Sequence, residues 1–177
     1  GTKLITEICR SLPSYYQHTI CIVQHMPNLV SKRFADFLNS ESKIPVRETI
    51  NDECLLKGHV YIAKAGFHLH FKKRESGCIC LNHVQDLGQS YFTPSVDEML
   101  KSASMVLDPN DVTSGILTGI GDDGAKGSLA LKKIGATTLG QDEKTSPVYG
   151  MPRAAKEIGG IELETSFDEI KDKILSA

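Results

Sequence analysis

The chain has no tryptophan, and aromatic residues make up only 6% of its 177 positions. No apolar run approaches the roughly 20 residues that a membrane-spanning helix needs. The N-terminus lacks a basic stretch leading into an apolar one, the pattern of a secretory leader. These absences argue against membrane insertion and point to the cytoplasm. An excess of one charge is missing too: 20 Lys and Arg stand against 22 Asp and Glu, a net charge of −2. That balance gives no broad electrostatic reason to expect nucleic acid or an anionic membrane as partner. The five cysteines (Cys9, Cys21, Cys54, Cys78, Cys80) are an odd number scattered through ordinary segments. They imply reduced thiols in a reducing compartment, in preference to a disulfide framework.

What is present is an alternation of helical and extended patterns, at a length suited to one domain with one core. Leu4, Ile5, Ile8 and Leu12 recur at helical spacing up to Pro13. Residues 19–24, "TICIVQ", form a continuous β-rich apolar run, as expected of a strand buried on both faces. Leu29, Val30, Phe34, Phe37 and Leu38 suggest a second helix. Residues 60–63, 68–73 and 78–83 read as short strands, the last two joined by a four-residue turn at Arg74-Glu75-Ser76-Gly77 as a β-hairpin. From Pro94 onward helices and strands alternate again. Val96, Met99, Leu100 and Ala103 share a helical face behind a Ser95/Glu98 capping box. Further helices are expected over 128–134, 153–158 and 167–175, with strands at "GILT", "ATTLG" and 161–164. The expected fold is α/β: a three-layer, doubly wound and mostly parallel sheet, helices on both faces, with a β-hairpin inserted in the middle. The chain opens directly on a helix, so the expectation is a fold entered between its first strand and first helix, where a strand-to-helix turn carries a phosphate loop or a nucleophile.

Residues 115–127 read "GILTGIGDDGAKG" and contain a literal G-x-G-x-x-G at Gly119, Gly121 and Gly124. Asp142 and Glu143 follow at roughly the distance expected of a ribose-binding acid in a dinucleotide site. Against that reading, Asp122 and Asp123 occupy the turn where a pyrophosphate needs bare amides and positive potential. One Asp there is an ordinary helix cap. Two, in a glycine-rich turn at the carboxyl end of a strand, suit a site in which a carboxylate orients another group and free amides face a reacting oxygen. His25 directly follows the strand "TICIVQ" and stands at the same edge of an open parallel sheet. An Asp that accepts the Nδ1 proton of a His fixes its tautomer and supports the imidazolium of acyl transfer. His25 and Asp123 are therefore candidate catalytic residues, and the nucleophile they need is expected on the turn before Gly1.

At these residues the sequence closely resembles the catalytic domain of the CheB family, the chemotaxis receptor-glutamate methylesterases. The matching pieces are "IVQHMP" (22–27), "GHVYIA" (58–63), "PSVDEML" (94–100), "GILTGIGDDGAKG" (115–127) and "YGMPRAAKEIGG" (149–160), in family order along nearly the whole chain. The resemblance implies a Rossmann-like domain with a Ser-His-Asp triad. His25 is its histidine, Asp123 its aspartate, and the backbone amide of Ile120 one donor to the oxyanion. It implies hydrolysis of glutamate methyl esters, and deamidation of glutamines by the same acyl chemistry. The partners would be the cytoplasmic helices of methyl-accepting chemotaxis receptors, with no metal and no organic cofactor. The family serine falls three residues before Gly1, so residues 1–177 are expected to be a single methylesterase-type catalytic domain, lacking its first strand and nucleophile turn, inactive as written and without a receiver domain. Phe92-Thr93 stand where many members carry a basic residue. The alternative is a non-catalytic receptor-binding module of hydrolase-like fold.

Three other signals stand apart from this pattern. His68-x-His70 and Cys78-x-Cys80 flank the hairpin turn and invite a zinc reading. A four-residue loop, however, sets His70 opposite Leu81 and Cys80 opposite Phe71 and sends the two pairs to opposite faces, so no metal site is expected. Lys72-Lys73-Arg74 reads as a solvated turn. Met151-Pro152-Arg153 reads as a strand-to-helix turn in which Met151 lines the crevice and Arg153 meets an acidic receptor.

Overall fold

A computed structural model describes all residues, 1–177. Two compact units account for nearly all of the chain, Thr2–Ser95 and Val96–Ser176.

In the first unit, α1 (Thr2–Ser11) buries Ile5 and Ile8 as its spacing predicts, and Cys9 with them, while Leu4 is half-buried. Strands β1 (Ile20–Ile22), β2 (Val46–Glu48) and β4 (Val60–Ile62) form a parallel sheet in the order β1-β4-β2. Val60, Tyr61 and Ile62 are fully buried, as befits a central strand covered on both faces. Helix α2 (Val30–Glu41) packs on β2 and β4, and of the apolar residues that suggest it only Leu38 is fully buried. Ser31, Ala35 and Leu38 face inward, while Leu29, Val30 and Phe37 are exposed. Two features turn the helix this way. It starts only after Leu29, which adopts a left-handed φ of 71°. The buried Ser31 hydroxyl then donates to Glu48 (2.6 Å) and accepts from the Ala65 amide (2.9 Å), anchoring that face.

An antiparallel sheet, β3-β6-β5, carries β3 (Glu53–Cys54), β5 (His68–Lys73) and β6 (Ile79–Val84). The hairpin is where it was expected, but its register is not. His70 pairs with Asn82, Phe71 with Leu81 and Lys72 with Cys80. The turn holds five residues, 74–78, closed by Arg74 N–H to the Cys78 carbonyl (2.9 Å), with Gly77 at a φ of 86° that favours glycine. One extra residue moves every even-numbered side chain of β6 onto the face of the even-numbered side chains of β5. The cysteines also depart from expectation. Cys54 and Cys78 are disulfide-bonded, and Cys9, Cys21 and Cys80 remain thiols. The cause is pairing of β3 with β6, which sets Cys54 opposite Cys80 and next to Cys78.

In the second unit, β7 (Thr113–Ile116), β8 (Thr137–Gln141) and β9 (Leu163–Thr165) form a parallel sheet in chain order. Helix α3 (Val96–Val106) buries the predicted face of Val96, Met99, Leu100 and Ala103. It packs on α4 (Ala125–Lys133), which packs on α5 (Met151–Glu157) and β8. Helix α6 (Phe167–Leu175) buries Ile170 and is capped by the Ser166 hydroxyl, which accepts the Glu169 N–H at 3.2 Å. Helix α4 starts three residues earlier than its apolar pattern suggests, because Gly124 (φ 96°) turns the chain and α4 follows at once.

Candidate active site

In the second unit, the segment after β7 is built as a tight glycine turn pinned to the segment before α5. Gly119 N–H donates to the Val148 carbonyl (3.0 Å), and the Gly119 carbonyl accepts from Gly150 (3.1 Å) and Met151 (2.9 Å). A methyl group on Gly150 would sit 2.7 Å from the Gly119 oxygen, so only glycine permits the approach. Thr118 fastens the two strands of chain a second time: its hydroxyl donates to the Val148 carbonyl (3.0 Å) and accepts the Val148 N–H (2.9 Å). Beneath them the fully buried Gln141 accepts the Thr118 N–H at 2.8 Å and donates to the Thr145 carbonyl at 2.6 Å. The Ile120 side chain projects into solvent, 74% exposed, so at this position the backbone is the part held in place.

Ile120, Asp122, Tyr149 and Arg153 line a shallow cleft of about 520 Å³. Met151 is not among the residues that line it. Its side chain is buried and packs against the Gly119 backbone, where an added methyl group would overlap its sulfur. Tyr149 donates its hydroxyl proton to Glu164, whose other oxygen meets Lys156 at 2.5 Å. Burial, and then this bond, push the Tyr149 hydroxyl up to about 12, so it is a protonated donor throughout the neutral range.

Asp122 is exposed and Asp123 buried, so adjacent carboxylates have different surroundings. Asp123 reaches the start of α3. Its Oδ2 accepts the Val96 N–H (2.8 Å) and its Oδ1 the Asp97 N–H (2.9 Å). These are orphan donors of a helix first turn, where the macrodipole also favours an anion. The bonds fix the carboxylate in position and orientation.

His25 belongs to the first unit and Asp123 to the second. His25 stands three residues beyond β1 and lies flat on the Phe92 ring, the planes 5° apart and the centroids 3.9 Å. Tyr91 meets Phe92 edge-on at 4.9 Å. In sequence Phe92 marks only the place of a missing basic residue; in the structure it supports the imidazole face. Nothing in the sequence singles out two further residues, Gln141 and Asp97, whose Thr118 and Gly127 partners lie more than 20 residues away. Asp123 takes the first two α3 amides, and the Ser95 N–H donates to His68 Nδ1 at 3.1 Å.

The family model described as CheB methylesterase matches residues 1–174. A protein-glutamate methylesterase/protein-glutamine glutaminase of Carboxydothermus hydrogenoformans is 38% identical over 176 residues, covering 98% of this chain and 51% of that protein. Another of the same description, from Borreliella burgdorferi, is 41% identical over 175 residues, 99% of this chain and 45% of that protein. The chain thus spans about half the length of the curated relatives it matches. The crystal structure of the Thermotoga maritima CheB methylesterase catalytic domain superposes with a TM-score of 0.92 at 31% identity, covering 99% of this chain and 92% of that one.

Proposed function

Since this chain belongs to the CheB methylesterase family, we propose that it supplies the histidine, the aspartate and half of the oxyanion hole of a serine-type glutamate methylesterase. The substrates are methyl-esterified glutamates, and glutamine amides as a second class, on the cytoplasmic helices of chemotaxis receptors. The setting is the cytoplasm, a reading with which the lack of any helix long and apolar enough to cross a membrane is consistent.

In this reading the nucleophile is the serine that the family resemblance places three residues before Gly1. His25 takes the serine proton as the serine oxygen attacks the ester carbonyl. Asp123 accepts the Nδ1 proton of His25 and stabilises the imidazolium as it forms. A carboxylate has about four acceptor sites, so the two α3 amides do not exhaust Asp123. They hold it rigid, which keeps the imidazole in the productive tautomer. The Ile120 N–H, with a second amide near the serine, stabilises the tetrahedral oxyanion; one such donor is typically worth about 3 kcal/mol of barrier. His25 then protonates methanol as it leaves. Water, deprotonated by His25, attacks the acyl-serine, and collapse of the second tetrahedral intermediate frees the glutamate and restores the serine. Deamidation follows the same route with ammonia leaving. No step calls for a metal or an organic cofactor.

The observation that supports this most directly is the double amide grip on Asp123, a buried carboxylate set beside a pinned glycine turn. The test is methanol release from methylated receptor by the full-length protein. His25→Ala is expected to lower kcat by about 1,000-fold or more, with receptor binding kept. A His25→Ala protein that retains most of its rate would refute the reading. A parent protein that binds receptor but never releases methanol would favour a binding module instead.

A further inference from the structure

Three cysteines of the first unit take no part in this chemistry. Cys54 on β3 stands directly across the antiparallel ladder from Cys80 on β6. Cys78 lies two residues before Cys80, so the strand period turns all three side chains to one face. Cys80 Sγ is 3.2 Å from Cys54 Sγ and 3.8 Å from Cys78 Sγ, and all three sulfurs fall within 4.8 Å of one another. We propose that, once the Cys54–Cys78 disulfide is reduced, Cys54, Cys78 and Cys80 form a three-thiolate site for one zinc ion, with the fourth position open to solvent.

A structural disulfide has no use for a third sulfur, yet Cys80 is fully buried against both members of the pair. Zinc–sulfur bonds of about 2.3 Å in a tetrahedron put sulfurs roughly 3.8 Å apart, and the separations to Cys80 approach that spacing. The strands that carry them are held by backbone bonds on either side, Leu55 N–H to the Ile79 carbonyl (2.8 Å) and Asp52 N–H to the Leu81 carbonyl (2.7 Å). The site is therefore largely preformed. Its donors are all soft sulfur with no carboxylate among them, which selects zinc and its thiophilic neighbours over magnesium or calcium. Cys54 and Cys78 are only half-buried, so an ion has a way in.

Charge agrees. A zinc trithiolate is a monoanion, and Lys72, paired directly with Cys80 on the neighbouring strand, brings a cation beside it. The other two thiols lie outside the cluster. Burial pushes Cys9 up to about 11 and Cys21 up to about 12, so both stay protonated at neutral pH and make poor ligands. The histidines of the original zinc pattern are not among the clustered donors; His68 turns its Nδ1 to the Ser95 amide instead.

Reduction needs an external dithiol, which gives two electrons and two protons to the Cys54–Cys78 disulfide and itself becomes a disulfide. Binding then forms three Zn–S bonds and releases three thiol protons to solvent.

The test titrates Co²⁺, then Zn²⁺, into the reduced full chain under anaerobic conditions. The expected result is one Co²⁺ per chain, with a near-ultraviolet thiolate-to-cobalt charge-transfer band that Zn²⁺ abolishes. Cys80→Ser should weaken binding by more than the 10–100-fold that loss of an outer-sphere partner costs, whereas Cys9→Ser should leave it unchanged. Should Cys80→Ser fail to fold, alkylation of the parent protein decides: zinc must protect Cys54, Cys78 and Cys80 and no other cysteine. Absence of a stoichiometric band, unchanged affinity in folded Cys80→Ser, or protection falling on Cys9 or Cys21 would overturn the proposal. None of these readouts depends on esterase activity.

Discussion

Asp123 and Asp97 cap each other's helices. Asp123, in the turn before α4, accepts the Val96 and Asp97 amides of α3 at 2.8 and 2.9 Å. Asp97, in the first turn of α3, accepts the Gly127 amide of α4 at 2.7 Å. Two helix N-termini thus exchange carboxylates, and the residue assigned to the triad is also one that ties α3 to α4. The arrangement brings two acids close together, and its strain falls on Asp97. Burial raises the Asp97 carboxyl first; the Gly127 bond pulls it back, and the Asp123 charge raises it again.

Replacing Asp123 by Ala should therefore have two effects besides loss of catalysis. Two first-turn amides lose their acceptor, at a cost of about 2 kcal/mol in unfolding free energy. The Asp97 pKa, followed by carboxyl NMR titration, should fall because the neighbouring anion is gone. A mutant with an unaltered urea midpoint and an unaltered Asp97 titration would show that the exchange carries no energy.

Gly127 sits where these helices touch. A methyl group there would lie 2.6 Å from Leu100 Cβ and 3.0 Å from the Asp97 carbonyl. Helix propensity alone favours Gly127→Ala by about 1 kcal/mol. Overpacking against a Cβ and backbone, neither of which can swing aside, costs about 1–3 kcal/mol. Steric cost should win, and a thermal melt of Gly127→Ala should show a lower Tm than the parent. A higher Tm would mean that α3 and α4 separate easily.

Glu164 governs an acid limb. Lys156, and then the Tyr149 hydroxyl, hold its carboxyl below the ordinary range. A carboxyl with a depressed folded-state pKa contributes stability that is complete above its unfolded value and is lost as pH falls through the folded one. Glu164→Gln should therefore be less stable than the parent near pH 7, and the difference should shrink to nothing as the pH drops below the usual carboxylate range. Urea midpoints across that range measure it. A difference that persists into strong acid would point to packing rather than charge.

Much of this protein is written locally. The "PSVDEML" helix buries the four residues its spacing selects, and the parallel strands other than β2, with their helices, follow from apolar runs and punctuation. The glycines of "GILTGIGDDGAKG" announce a tight turn, because few other residues fit a turn in which φ reaches 91° at Gly121 and 96° at Gly124. On α2 the apolar residues announce a helix without marking its buried face, since Phe37 and Leu29 are exposed. Two hydrogen bonds at buried Ser31, one donated to Glu48 and one accepted from Ala65, and a left-handed residue at Leu29 accompany that orientation.

The sequence by itself determined the α/β class, the alternation of helices and strands and the glycine turn, because short-range sterics and hydrophobic spacing act between neighbours along the chain. It marked His25 and Asp123 as candidates, the family resemblance added Ile120, and strands β2 and β3 left no signal. Tertiary structure alone decided what those residues touch: the α3 amides on Asp123, the Phe92 ring under His25, and Gln141 beneath the Thr118 turn. It also decided the hairpin register, where one more loop residue than expected fixed which side chains share a face, and the pairing of β3 with β6 that gathers three cysteines. Hydrogen bonds and strand pairings between distant segments depend on how the chain closes on itself, and no local window of sequence contains both partners.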